Sequence, residues 1–311
     1  MIMRKPESLH PNVLCVGSTV VDLPGNGSYP HGVPGGSALN VAVAVRRQGP
    51  DAALLTALGS DEAGEAVERF LSLETIALLK VPINGTIAAR ADIKDGTASY
   101  TFTTTRPSGQ FPLGPAELRM IRKSGTVVLS AYRAPSPCDL DRLAEVAAHR
   151  AGRLIYDPNP RYRDTGDTHA HRRQVEELGP HCDLLKLSDE DAGALFGEPG
   201  PDIARRFLDA GTGAVLITHG RGGATLHTRD FAVCNSTYVE RLLDPRGAGD
   251  CVLATIAAAV ADARWPSDPV VWDRIMQRAM RAAAVACSRE GGAVSMPTAA
   301  EISAHSEETP V

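Results

Sequence analysis

Lysine is scarce in this sequence, with five residues (positions 5, 80, 94, 123 and 186) against 27 arginines. The arginines are scattered and the formal net charge is -5, so the chain lacks the basic footprint of a nucleic-acid binder. Aromatic residues make up only 5% of the chain, which leaves few platforms for stacking a base. The six cysteines (15, 138, 182, 234, 251 and 287) include no CxxC pair and read as buried free thiols in a reducing compartment. "HAH" at 169–171 has no partner cluster at metal spacing and reads as a solvated helix face. No apolar run approaches the roughly 20 residues that span a bilayer; the longest covers 252–261. The N-terminal "MIMRKPESLHPN" has charges but no apolar leader core. These absences predict a soluble, cytoplasmic protein without a nucleic-acid or membrane partner. GxxxxGK[ST], a GxGxxG after a strand, HRD and DFG are missing too, which excludes P-loop, dinucleotide-binding and protein-kinase grammars.

What is present is an ordinary globular composition, 43% hydrophobic over 311 residues, enough to bury a sizeable core. Short apolar runs at 13–18, 52–58, 126–131, 153–157, 183–187 and 214–220 read as buried strands. Helical patterns near 37–48, 62–73, 139–150, 169–179, 189–196 and 202–210 alternate with them, and 248–262 and 268–288 follow. Such alternation predicts an α/β fold whose mostly parallel sheet carries helices on both faces. One segment breaks the rhythm: 87–92 and 98–103 alternate in period two around "KDG", a hairpin signal. A single domain spanning 1–311 is therefore expected, with a small β-sheet lid drawn from about 18–34 and 80–110. The segment 298–311 is expected to be a polar tail, frayed over its last residues, 303–311.

The densest chemistry lies in "LLDPRGAGDCVLATIAAAV", 242–260. Gly247, Ala248, Gly249 and Asp250 open a long apolar helix, whose first N–H groups have no intrahelical acceptor and carry the positive dipole end. Small residues there let the backbone approach an anion such as a phosphate. By itself Asp250 is as readily a helix cap as a general base beside an anion hole, the pairing that phosphoryl transfer needs.

"DPRGAGD" resembles the D-T-x-G-A-G-D signature of the ribokinase-like (phosphofructokinase-B type) carbohydrate kinases. Further stretches resemble that family's landmarks in order: "GSTVVDL" (17–23), "PGGSALNVAVAVRRQG" (34–49), "LGSDEAG" (58–64), "LITHGRGGA" (216–224) and "AVACSREGGAVSMP" (284–297). The resemblance implies ATP and Mg²⁺ as cofactors, and a small sugar as acceptor. It implies Asp250 as catalytic base with the 247–249 amides as anion hole. Asp22, Gly35, Gly36 and Asn40 would grip the sugar, and Arg161 in "YDPNPR" would approach it. Lys186, Ser188, Thr218, Gly220 and Gly223 would line the nucleotide site, with Asp191 reaching Mg²⁺ through water. A monovalent cation such as K⁺ would sit against Asp244 and groups of Ala286, Arg289, Gly291 and Ser295. A homodimer through the lid is also implied.

Two departures bear on that cation. Pro245 replaces the signature threonine, and Arg246 follows in place of a small residue; an arginine there either projects toward phosphates or substitutes for the ion by its charge. The motifs "GGSALNVAVAV" and "KLSDED" are closest to fructokinase forms, which makes fructose the first candidate. Ribose, 2-keto-3-deoxygluconate and nucleosides are the alternatives within the family. A non-catalytic sugar- or nucleotide-binding protein is the alternative of another class.

Overall fold

A computed structural model of the chain describes residues 11–23, 32–94, 97–102, 109–160, 168–239 and 241–308, with backbone alone at 90–94, 97–102 and 306–308. Its main sheet has nine strands. In spatial order they are Ala232–Asn235, Ala224–His227, Ala214–Thr218, Leu184–Ser188, Arg153–Asp157, Thr126–Ser130, Val13–Gly17, Ala52–Leu58 and Ala77–Pro82. The seven from Ala214–Thr218 to Ala77–Pro82 are parallel, and the other two continue antiparallel as a hairpin at the edge.

Period-two alternation gives each central strand two buried faces. Val13, Cys15, Leu54, Val128, Ile155 and Leu216 pack beneath the helices Ser37–Arg47, Ala248–Val260 and Pro269–Cys287. Leu14, Val16, Leu55, Leu129, Tyr156 and Ile217 pack on the opposite side, against Pro137–Ala148, Thr168–Leu178 and Gly200–Ala210. Both faces are covered, which is why the strands read as continuous apolar runs. Helix Ala248–Val260 has almost no polar side because it packs against both Ser37–Arg47 and Pro269–Cys287.

A second sheet has four strands in the order Val33–Gly35, Val20–Leu23, Ala88–Lys94 and Thr97–Phe102. The last two form an antiparallel hairpin, while Val20–Leu23 runs parallel to Ala88–Lys94. The "DG" of the hairpin turn, 95–96, lies outside the described residues.

Several expectations are corrected. The polar C-terminal segment forms a helix, Ala299–Glu308, anchored by the fully buried Ile302. The strand expected over 214–220 stops at Thr218, because Gly220 begins a short 3-10 turn. His171 is buried on the inner side of Thr168–Leu178, not solvated. Cys138 and Cys234 are exposed, and all six cysteines are free thiols. Among the described residues no helix is long and apolar enough to cross a membrane.

Candidate active site

Five neighbouring parallel strands end on Thr218, Ser188, Asp157, Ser130 and Gly17. A cleft of about 480 Å³ opens along these carboxyl ends, the side on which open α/β sheets hold ligands. The small sheet contributes Val20, Asp22, Gly35 and Ala89 to one wall. The mouth of helix Ala248–Val260 contributes Gly247, Gly249 and Asp250 to another.

Asp250 is nearly buried, and both of its carboxylate oxygens are oriented by the neighbouring helix Ser37–Arg47. Asn40 Nδ2 donates to Oδ2 at 2.7 Å, and Ser37 Oγ donates to Oδ1. Ser37 is itself fixed: its amide donates to Ser18 Oγ at 3.0 Å, and its hydroxyl lies 2.6 Å from Ser130 Oγ. Asn159 Nδ2 donates to the same hydroxyl at 3.1 Å. Asn159 holds a left-handed backbone (φ 35), which asparagine tolerates better than most residues, and its amide donates to Asp157 Oδ1 at 3.2 Å. Asn40 Oδ1 is buried and accepts no hydrogen bond, which leaves one acceptor lone on a residue of the cleft wall.

Asp250 is thus not the N-cap, the other reading of its position. The cap is Gly247, at φ 81, where a Cβ would lie 2.7 Å from Met296 Cε. Among the hole-forming amides, Ala248 donates to the Pro245 carbonyl at 3.3 Å. Ala248 is also missing from the cleft lining, so the flanking Gly247 and Gly249 are the signature glycines that face it. Gly36 also takes a positive φ, 100, and a Cβ there would lie 2.6 Å from the Ser18 carbonyl oxygen.

Lys186 is the middle residue of strand Leu184–Ser188. Its Nζ donates to Asp157 Oδ2 at 2.7 Å, and a Cβ on Gly249 would lie 3.4 Å from that same nitrogen. The ammonium therefore stands beside the mouth of helix Ala248–Val260. Burial works against the Lys186 charge, but Asp157, Asp191 and Asp250 outweigh it and raise its pKa. Burial pushes the fully enclosed Asp157 carboxyl up to about 6, and Lys186 opposes this without cancelling it.

Ser188 and Asp191 line the cleft while forming a capping box: Asp191 N donates to Ser188 Oγ and Ser188 N to Asp191 Oδ2, each at 3.0 Å. Thr218 lines the cleft, but Gly220 and Gly223 do not. Gly223 (φ 98) serves the hairpin, since a Cβ there would lie 2.0 Å from the Asn235 carbonyl oxygen. Arg161 lies outside the described residues, as do 24–31 and 103–108 of the expected lid.

The described lining carries four carboxylates (Asp22, Glu190, Asp191, Asp250) against Lys186 and Arg246, a balance that suits a hard divalent cation. Among the described residues no three candidate ligands converge into a cage. The residues fit Mg²⁺ held chiefly by waters and substrate phosphates, its usual mode in phosphoryl-transfer sites.

The expected monovalent-cation residues are arranged differently. Both Asp244 oxygens accept from Arg246 and one also from the Gly291 amide. The Ala286 carbonyl accepts from Arg289 N at 3.2 Å, the Arg289 side chain pairs with Glu301, and Ser295 Oγ donates to the Gly292 carbonyl.

Ser37, Ser130, Asp157 and Asn159 are the residues that motif reading did not single out as functional. Their common signal is a polar residue where an apolar strand ends or a signature helix begins.

Several known proteins are similar to this chain. Fructokinase-2 of Solanum lycopersicum is 26% identical over 282 residues, covering 86% of this chain and 85% of the relative. The fructokinase of Rhizobium leguminosarum bv. trifolii is 28% identical over 266 residues, covering 80% and 79%. A solved Vibrio cholerae O395 fructokinase double mutant, bound to fructose, ADP and potassium ion, superposes with a TM-score of 0.80. It is 24% identical, and the match covers 94% of this chain and 97% of that one. Aminoimidazole riboside kinase from Salmonella enterica gives 0.79 at 19% identity, covering 94% and 99%. The model of the pfkB family carbohydrate kinase matches residues 10–299, nearly the whole chain, and with it this protein belongs to the pfkB family of carbohydrate kinases.

Proposed function

We propose that the protein is a cytoplasmic fructokinase, transferring the γ-phosphoryl group of ATP to a primary hydroxyl of fructose. The observation that carries this reading is Asp250, set at a helix mouth with both oxygens held by Ser37 and Asn40. A sugar hydroxyl lying against that carboxylate gives up its proton as its oxygen attacks phosphorus. The amides of Gly247 and Gly249, which line the cleft, and the Lys186 ammonium then face the charge on the transferring group. Mg²⁺, when bound, neutralises phosphate oxygens, and Asp191 is the carboxylate that would reach it through water. Asn40, beside Asp250, and Asp22, on the small-sheet wall, both line the cleft and are suited to the sugar hydroxyls. The small sheet serves as the lid that keeps water from competing as nucleophile.

Fructose is favoured by the relatives named fructokinase and by the fructose bound in the Vibrio cholerae structure. No described residue lining the cleft is aromatic, which disfavours a nucleoside needing a stacking surface. The test is coupled ADP release over fructose, ribose, 2-keto-3-deoxygluconate and nucleosides. Fructose is expected to give the highest kcat/KM. A higher value for another acceptor reassigns the substrate, and sugar binding without any turnover favours a binding protein.

A further inference from the structure

We propose that the guanidinium of Arg246 is a built-in cation that takes the place of K⁺ beside the anion hole, so that phosphoryl transfer by this protein needs no monovalent ion.

The proposal rests on how Asp244 is used. Its carboxylate is nearly buried, the position in which a loop carboxylate needs a positive partner. Arg246 supplies that partner from two residues away: Nε lies 3.0 Å from each oxygen, and Nη2 lies 2.7 Å from Oδ2. The Arg246 amide adds a bond to Oδ1 at 2.9 Å. Burial alone raises the Asp244 pKa, but the Arg246 and Gly291 hydrogen bonds outweigh it and hold the group ionised, below its ordinary value.

The surroundings are those of a guanidinium site and not of an ion cage. A potassium ion needs oxygen atoms converging on one point. Here the Gly291 N–H donates to Asp244 Oδ2 at 3.1 Å, and a donor hydrogen cannot ligate a cation. The Ala286 carbonyl accepts from Arg289 N, and the Ser295 hydroxyl donates to the Gly292 carbonyl, so neither is bonded to Asp244. A free cation at Asp244 would have to displace a tethered one that already makes three side-chain hydrogen bonds to that carboxylate.

Pro245 completes the device. It fixes φ between the two partners, and its carbonyl accepts from Ala248 N, the first residue of the helix. The loop ordering that an ion would provide is therefore covalent. Arg246 then does something a spherical ion cannot: Nη1 reaches Asp22 Oδ2 at 3.4 Å, across the cleft wall on strand Val20–Leu23. One planar fork joins the phosphate-side loop to the sugar-side carboxylate.

The test replaces K⁺ by tetramethylammonium at equal ionic strength, with Mg²⁺, ATP and fructose present. Wild-type turnover and melting temperature are expected to be the same in both salts. A gain of about tenfold in wild-type rate on adding K⁺, ordinary for an activating ligand, would overturn the proposal. Arg246→Ala is expected to melt earlier and turn over more slowly in tetramethylammonium, and K⁺ is expected to recover part of both losses. A variant with wild-type rate and melting in tetramethylammonium, or one impaired but indifferent to K⁺ in both readouts, would also overturn it. Should Arg246→Ala not fold, Arg246→Gln keeps the length without the charge and is read in the same way. The melting arm needs no sugar, so a wrong choice of acceptor cannot be confused with failure of the cation role.

Discussion

Replacing Asp250 by asparagine isolates one chemical property, the ability to take a proton, at nearly constant shape. The wild-type carboxylate accepts from Asn40 Nδ2 at 2.7 Å and from Ser37 Oγ. An amide keeps the first contact through its carbonyl and turns its NH₂ toward Ser37 Oγ, which is able to accept. The structural cost is one charge-assisted hydrogen bond made neutral, about 1 kcal/mol. In a chain of this size that lowers the melting temperature by about 1–2 °C. The catalytic cost is larger, because a positioned general base contributes about 10²–10⁴ in rate, or roughly 3–5 kcal/mol. Asp250→Asn is therefore expected to cut kcat by at least about 100-fold while fructose KM moves by no more than a few-fold. The assay is coupled ADP release, with circular dichroism and a melting curve on the same preparation. A folded Asp250→Asn protein with kcat within about threefold of wild type would refute the base assignment and return Asp250 to a structural role.

Two other perturbations probe the groups around it. Asn40→Ala removes the donor to Asp250 and the unpartnered Oδ1 together. At about 1.5–3 kcal/mol for a charged hydrogen bond, kcat/KM for the sugar is expected to fall about 10–100-fold with ATP affinity unchanged; an unchanged sugar KM would count against the sugar contact. The Asp157 carboxyl, raised to about 6 in the fold, keeps its proton where an unfolded chain, titrating at 3.8, has lost it. Its stabilising contribution is full below about 4 and is lost as pH rises through about 6. Asp157→Asn is fixed neutral, so the melting temperature of the variant minus that of wild type is expected to increase between about pH 4 and about pH 7. A difference that shrinks over that range would mean that Lys186 outweighs burial.

How much of this was legible in the sequence depends on burial. The central strands announce themselves because both faces are covered, as in "VLCVG" and "AVLIT". Ala77–Pro82 does not, since it is a half-exposed edge strand that mixes Lys80 with apolar residues. Nor do Ala224–His227 and Ala232–Asn235, each only four residues long. Helix Pro115–Lys123 buries just Ile121 fully, too little for a visible apolar stripe. Within the site, Asn40 was legible as a polar residue inside an apolar helix, Lys186 as one of only five lysines, and Asp250 as a carboxylate at the mouth of an apolar helix. Ser37 and Ser130 were not, because a serine at a helix start or strand end is ordinary until the fold brings the two within 2.6 Å. The direction of Arg246 was equally hidden: its neighbours in sequence allow it to face either phosphates or Asp244, and only the turn at Pro245 decides.

The pairing of Asn40 with Asp250 joins positions 210 residues apart, and this has a consequence for the chain as it is made. At ordinary translation speeds of about 5–20 residues per second, roughly 10–40 s separate the synthesis of the two partners. During that interval helix Ser37–Arg47 has no Ala248–Val260 to pack against, and part of its buried surface lacks that cover. A nascent chain that has already emitted its central strands is thus both catalytically silent and adhesive. The segment that covers this surface is the one that brings Asp250, so packing of the helix and assembly of the site come in the same late step.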